Sequence, residues 1–170
     1  AQALYTEPEG LFAGFTLGFG TDRQGRSILR RALYSIKVAV QIGLVSALSS
    51  VLLGTVLGGA AGFFGGLVDT VIVWLYSTFS AIPYIVMLMV LAAMFLGSTF
   101  EGTLIPVYTA FCLTFWIGPC RIIRGEVLKL RELEYVQAAT AVGFGRMHIL
   151  LRHILPNTAH LMFINFSLLF

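Results

Sequence analysis

Residues 38–68 read VAVQIGLVSALSSVLLGTVLGGAAGFFGGLV, a run without one charged side chain. About 18 or more apolar residues in a row are enough for a helix to cross a bilayer. Two further charge-free runs follow, 70–100 and 102–120, interrupted only by Asp69 and Glu101. The whole 170-residue chain shares the bias, at 58% hydrophobic and 11% charged, whereas a soluble domain is about one quarter charged. A single core at this length would hide only part of that apolar surface. A soluble enzyme, a secreted disulfide scaffold and a disordered tail are excluded. The pattern predicts an all-α, polytopic transmembrane helix bundle.

The charges lie at the borders of these runs. Five basic residues fall between Arg23 and Lys37 and six between Arg121 and Arg152, where Lys and Arg normally flank membrane spans. The net charge of +3 is therefore no nucleic-acid signal, because no basic face is interleaved with aromatic stacking platforms. Cys112 and Cys120, eight positions apart on one helix, would stand about 12 Å apart, too far for a disulfide. They read as small buried side chains.

Working outward, residues 1–35 read as an extramembrane segment and 36–170 as the transmembrane core. The first span is expected from about Ile36 to Gly58 or slightly beyond, with small residues at Gly43, Ala47, Ser50, Gly54, Gly58, Gly62 and Gly66. The last four stack on one helical face. In lipid such a face lets a neighbouring backbone approach closely, so Gly54, Gly58 and Gly62 are expected to pack helices. The stretch Gly62–Gly66 then looks like a helix end and tight turn. Asp69 follows at the start of the next helix, where a carboxylate complements the positive end of the macrodipole; an acid with an intramembrane function is the other reading. Pro83 divides the long run 67–97 and predicts a kink or break. Such a break either aids packing or exposes backbone groups to a transport pathway. A third span is expected from about Thr103 to Gly118, with Pro119 closing it.

Residues 121–152 change character, with six basic and three acidic side chains, and read as a segment outside the hydrocarbon core. Within it EYVQAATAVGFGR, 134–146, is small and helix-compatible. Ala138, Ala139 and Gly143 would offer a face that presses closely against a partner. Residues 157–170 are apolar but reach only about 21 Å, short of a core about 30 Å thick. The expectation is a chain that stops inside a transmembrane helix.

Catalytic motifs are missing: no HExxH, GxSxG, CxxC or phosphate loop is present. His148, His153 and His160 lack carboxylate or thiolate neighbours at ligand spacing and read as interfacial side chains rather than a metal set. Glu126, Glu132 and Glu134 read as surface ion-pair partners.

The segment EYVQAATAVGFGRMHILLRHILPN resembles the EAA loop of permease subunits of ABC-type importers. Gln137, Ala138, Ala139, Gly143, Leu155 and Pro156 fall on that pattern, with Gln137 in place of its glutamate and His153 in place of its isoleucine. LGFGTDRQGRSILRRALYSIKVAV is similar to the LGTDxxGRD region of dipeptide, oligopeptide and nickel permeases, through Thr21, Asp22, Gly25 and Arg26, with Ser27 where the family often has Asp. AGFFGGLVD is similar to the family's AGYFGGxxD turn through Gly65, Gly66 and Asp69. RGEVLKLRELEYVQAA resembles its RGxxLxLRexeYVeAA stretch. These matches run in the family's order from about Leu17 to Asn157.

The resemblance implies a MetI-like permease fold with six transmembrane helices, the first before Ala1 and the last beyond Phe170, so that the chain is expected to be truncated at both ends. It implies a sister permease subunit, two cytoplasmic ATPase subunits, an extracytoplasmic solute-binding protein and surrounding lipid as partners. No cofactor would be bound by this chain, ATP and magnesium being held by the ATPases. Segment 134–146 would be the coupling helix, with Glu134, Gln137, Ala138, Ala139, Gly143, Leu155 and Pro156 serving the contact. Counting spans back from a cytoplasmic 134–146 puts Arg23–Lys37 outside, against the positive-inside preference; the family layout favours the count. The implied function is translocation of peptides or related small solutes across the inner membrane of a prokaryote. A membrane scaffold without its own path is the alternative. The substrate-binding residues are not readable from the sequence.

Overall fold

The computed structural model describes Gly20 and residues 27–170. The motif residues Thr21, Asp22, Gly25 and Arg26 lie outside the described residues. The chain divides into two units, Ala1–Gln41 and Ile42–Phe170. Among the described residues every extended element is helical.

Helix α1, Ile28–Phe64, has 37 residues and begins earlier than Ile36. Ser27 starts it: its hydroxyl accepts from the amide of Arg30 at 3.4 Å, the usual service of an N-cap serine. Gly65 ends it, with φ +63°, and Gly66 follows at φ +53°. Two successive residues in the left-handed region need glycine, since a Cβ there crowds the following carbonyl.

Helix α2, Gly66–Ser80, runs to the Pro83 break, and α3, Tyr84–Ala93, leaves it at 88°. Pro83 disfavours helical conformation at Ile82 and supplies no amide of its own. Turns then connect α3 to Leu104, with Gly97 at φ +75° and Gly102 at φ +77°. The Gly97 amide donates to the Glu101 carboxylate at 2.7 Å, so the sole acid between the second and third apolar runs caps a turn.

Helices α4, Ile105–Phe115, and α5, Ile117–Leu130, form one nearly continuous 26-residue helix. The expected stop at Pro119 does not occur. Pro119 is the third residue of α5, within the first turn, where amides have no intrahelical acceptor and a missing N–H costs little. Arg121 and Arg124 therefore belong to this helix and not to a separate polar segment. Helix α6 is Glu134–Ala141 and α7 is Arg146–Ile149. A π-helical turn, Leu150–Ile154, and a 3-10 turn, Leu155–Thr158, carry the chain past Pro156 into α8, Ala159–Leu169.

Among the described residues α1 and the joined α4–α5 are each long and apolar enough to span a membrane, and the bent pair α2–α3 passes the same test together. Hydroxyls inside these helices donate to carbonyls one turn back, Thr114 to Ala110 at 2.7 Å and Thr78 to Trp74 at 2.8 Å. That satisfies groups for which lipid offers no partner.

The glycines of α1 meet α5. A methyl group on Gly54 would stand 2.7 Å from Pro119 Cβ, and on Gly62 it would stand 2.8 Å from the Arg124 carbonyl oxygen. On Gly58 it would collide with the Cys120 carbonyl. Here backbone lies on backbone, the arrangement small residues permit in lipid, where association rests on close packing. Two buried clusters flank the seam. One gathers Ala61, Ile72, Tyr76, Trp116 and Cys120; the other gathers Ile123, Val127, Val136, Ile149, Leu150 and Ile154.

Candidate functional site

The second cluster seats the segment 131–158. From α6 only Val136 is buried, while Ala139 is half-buried against the same core. Tyr135 adds a second attachment: its hydroxyl accepts from the Asn157 side-chain amide at 3.0 Å, tying α6 to the 3-10 turn. Leu155 packs on the cluster and lies against Gly59 of α1, and Pro156 is exposed beside it.

Helix α6 is shorter than the expected 134–146. It stops at Ala141 in a Schellman turn: the Gly143 amide donates to Thr140 and the Phe144 amide to Ala139, with Gly143 at φ +92°. Ala138, Ala139 and Gly143 do not share a face. Ala138 is open to solvent, Ala139 turns toward the core, and Gly143 lies in the terminating turn. Glu134 sits in the first turn, favourable for a carboxylate at the positive helix end.

The departure at Gln137 has a local explanation. Its amide nitrogen donates to the Glu132 carbonyl at 2.9 Å, a bond an ionised glutamate cannot make because it is acceptor-only. His153 meets Phe144 and His148, with ring centroids 6.2 and 5.9 Å away, and Phe144 stacks on His148 at 5.2 Å. Among the described residues no three His, Cys, Asp or Glu side chains come together as a metal set.

The turn after α6 leaves a run of apolar side chains in the open: Val142 is 76% exposed, Met147 57% and Phe144 48%. These three form an apolar patch on a short polar stretch that is itself carried on a buried core. Sequence spacing gave no hint of it, because it is built by a turn and not by helical periodicity.

The same segment and the helix before it, α5, are fastened to the α1–α2 corner. Asp69 does more than face a helix dipole: it accepts a forked pair from Arg124 of α5, Nε to Oδ1 at 2.5 Å and Nη2 to Oδ2 at 2.7 Å. Arg131 donates Nη1 to the Gly62 carbonyl at 3.0 Å, one of the last-turn acceptors left without a helical partner. The Arg146 guanidinium lies over the rings of Phe63 and Phe64, 6.0 and 5.6 Å from their centroids, within cation–π range. Arg124 and Arg131 fall on the RGxxLxLR resemblance, but neither their partners nor Arg146 could be read from it.

A second region lies at the Pro83 break. A cavity of about 590 Å³ there is lined by Phe79, Pro83, Met87, Thr114, Pro119 and Asn165 among others. At its edge Arg121 donates to the Ser80 hydroxyl at 2.8 Å and covers the Tyr76 ring at 4.8 Å.

Known proteins give this architecture a lineage. The family described as "Binding-protein-dependent transport system inner membrane component" matches residues 54–170. The dipeptide transport system permease protein DppC of Bacillus subtilis is 35% identical over 140 residues, covering 82% of this chain and 42% of the relative. The peptidoglycan transport system permease protein YejE of Agrobacterium fabrum is 36% identical over 162 residues, covering 91% and 41%. The oligopeptide transport system permease protein OppC of Haemophilus influenzae is 32% identical over 150 residues, covering 88% and 47%. The chain thus spans less than half the length of these relatives. With α1 and α5 packed through glycines and an apolar turn exposed beyond α6, the chain belongs to the family of binding-protein-dependent transport system inner membrane components.

Proposed function

We propose that this chain forms part of a permease subunit in an ATP-driven ABC importer, carrying peptides or a related small solute across the inner membrane of a prokaryote. The observation that carries the reading is α6 with its terminating turn, exposed in Ala138, Val142 and Phe144 yet seated on a buried core through Val136. A surface so mounted can receive a push from a partner and pass it to the helices behind. The partner would be one of two ATPase subunits, which would hold ATP and magnesium. A sister permease and a solute-binding protein would complete the assembly; the family's description, which names a binding protein, supports the latter. Glu134, Gln137, Ala138, Ala139, Gly143, Leu155 and Pro156 would then build or support the docking element. The solute's route would pass the cavity at Pro83, where the broken helix turns its end toward open space.

Ala138 tests this reading. Ala138→Glu, on the open face, should keep the thermal midpoint of the full-length protein and reduce ATPase retention on purification about tenfold, the loss typical of a central interface position. Unchanged retention, or a full-length protein that purifies with no ATPase, overturns it. Ala139 is the wrong probe for docking, because a charge there would enter the core.

A further inference from the structure

One arginine of α5 and two of the segment around α6 converge on one short corner of the chain. Arg124 grips Asp69, Arg131 holds the Gly62 carbonyl, and Arg146 covers Phe63 and Phe64. The corner itself is Gly65–Gly66, both at positive φ, so no side chain of its own braces it. Its direction is set from outside by these contacts. The Asp69–Arg124 pair joins positions 55 residues apart in sequence. Both its atoms and its geometry favour a stiff link: two parallel charge-assisted bonds fix distance and orientation together, which a single bond does not. The partners are about a quarter exposed, 23% for Asp69 and 26% for Arg124, so water screens the pair only in part.

We infer that Arg124 and Asp69 are positioning residues of the transport cycle: their forked pair makes α2 follow α5 when the segment around α6 is displaced. This rests on the importer reading and deepens it. Motion has a second way out of the segment, along the chain into α8, but that route runs through a π-helical turn and a 3-10 turn at Leu150–Thr158. Their poorer hydrogen-bond geometry makes them compliant. The route through Asp69 is the direct one to α2, and α2 ends at the Pro83 break beside the cavity. The pair therefore connects the docking side of the molecule to the region where a path would open. Arg131 supports it by holding the last turn of α1, so that the corner turns as one piece.

The test is made on the full-length protein purified with its ATPase subunits, with Cys112 and Cys120 replaced by alanine. A single reporter fluorophore is placed either at Lys129 of α5 or at Val71 of α2, both exposed. ATP with vanadate is the stimulus, so no solute need be known. In the otherwise native protein both reporters should respond. With Asp69→Asn or Arg124→Gln the Lys129 response should persist while the Val71 response falls about tenfold, within the usual range of coupling between sites. The double exchange Asp69→Arg with Arg124→Asp should restore it, which ties the loss to this pair, while the persisting Lys129 response separates it from a merely structural loss. Arg131→Gln, which removes one carbonyl contact, provides a milder variant if the Asp69 variants accumulate poorly; a partial loss at Val71 is expected. A Val71 response of native size in Asp69→Asn or Arg124→Gln, or in Arg131→Gln where those do not accumulate, overturns the inference. Silence of the Lys129 reporter in the native protein overturns instead the importer reading beneath it.

Discussion

Glycine does opposite work in two regions of this molecule. Along the α1–α5 seam, Gly54, Gly58 and Gly62 are required because there is no room: a Cβ would meet the backbone of Trp116, Cys120 or Arg124. At the end of α6, Gly143 has nothing within 4 Å of where a Cβ would lie, and is required because φ is +92°. One region is constrained by its neighbour and the other by its own backbone. The difference teaches that the seam is a fixed element, unable to loosen without separating two helices, whereas the α6 turn is shaped locally and left free to meet something else.

The strongest way to break this comparison is Gly58→Leu. It should cost about 3 kcal/mol or more, since overpacking at backbone contact cannot be relieved by a rotamer change. Thermal unfolding of the detergent-solubilised protein should show a lower midpoint and less folded material; a native midpoint would mean that the seam is not closely packed. Gly143→Val should cost about 1–2 kcal/mol, the penalty of a β-branched residue in the left-handed region, and should be felt locally. Limited proteolysis should cut faster between Ala141 and Arg146 while the global midpoint moves little. A global collapse would join the two regions into one cooperative unit. The smallest effect is expected at Thr55, buried on the seam with a hydroxyl that lacks a hydrogen-bond partner among the described residues. Thr55→Val keeps the shape and removes that unsatisfied group, so stability should hold or rise by about 1 kcal/mol. A clear loss would show that the hydroxyl has a partner after all.

What was legible in the sequence follows the same division. Charge-free runs, the Pro83 break and the glycine corner were readable because each rests on local chemistry: hydrophobicity, a missing amide, a tolerance for positive φ. Pro119 reads as a stop in the sequence, but its effect depends on position within a turn, and that position is set by the offset at Trp116. The end of α6 at Ala141 is not legible for a related reason, since Gly143 looks the same on a small helical face as in a Schellman turn. Asp69 reads in the sequence as a helix-end carboxylate or an intramembrane acid, and not as half of an ion pair, because its partner is distant in sequence. Arg124 and Arg131 read as motif positions and Arg146 as interfacial charge, but their convergence on Gly62–Asp69 exists only once α1 and α5 lie side by side.

The amide of Gln137 has one more consequence, and it concerns acidity. A glutamate at that position could donate to the Glu132 carbonyl only when protonated, and the start of α6 would then tighten or relax as protons come and go. An amide neither gains nor loses a proton in any ordinary range, so this fastening holds alike in acid and neutral surroundings. The substitution removes a proton-sensitive group from α6 and leaves this one fastening indifferent to pH.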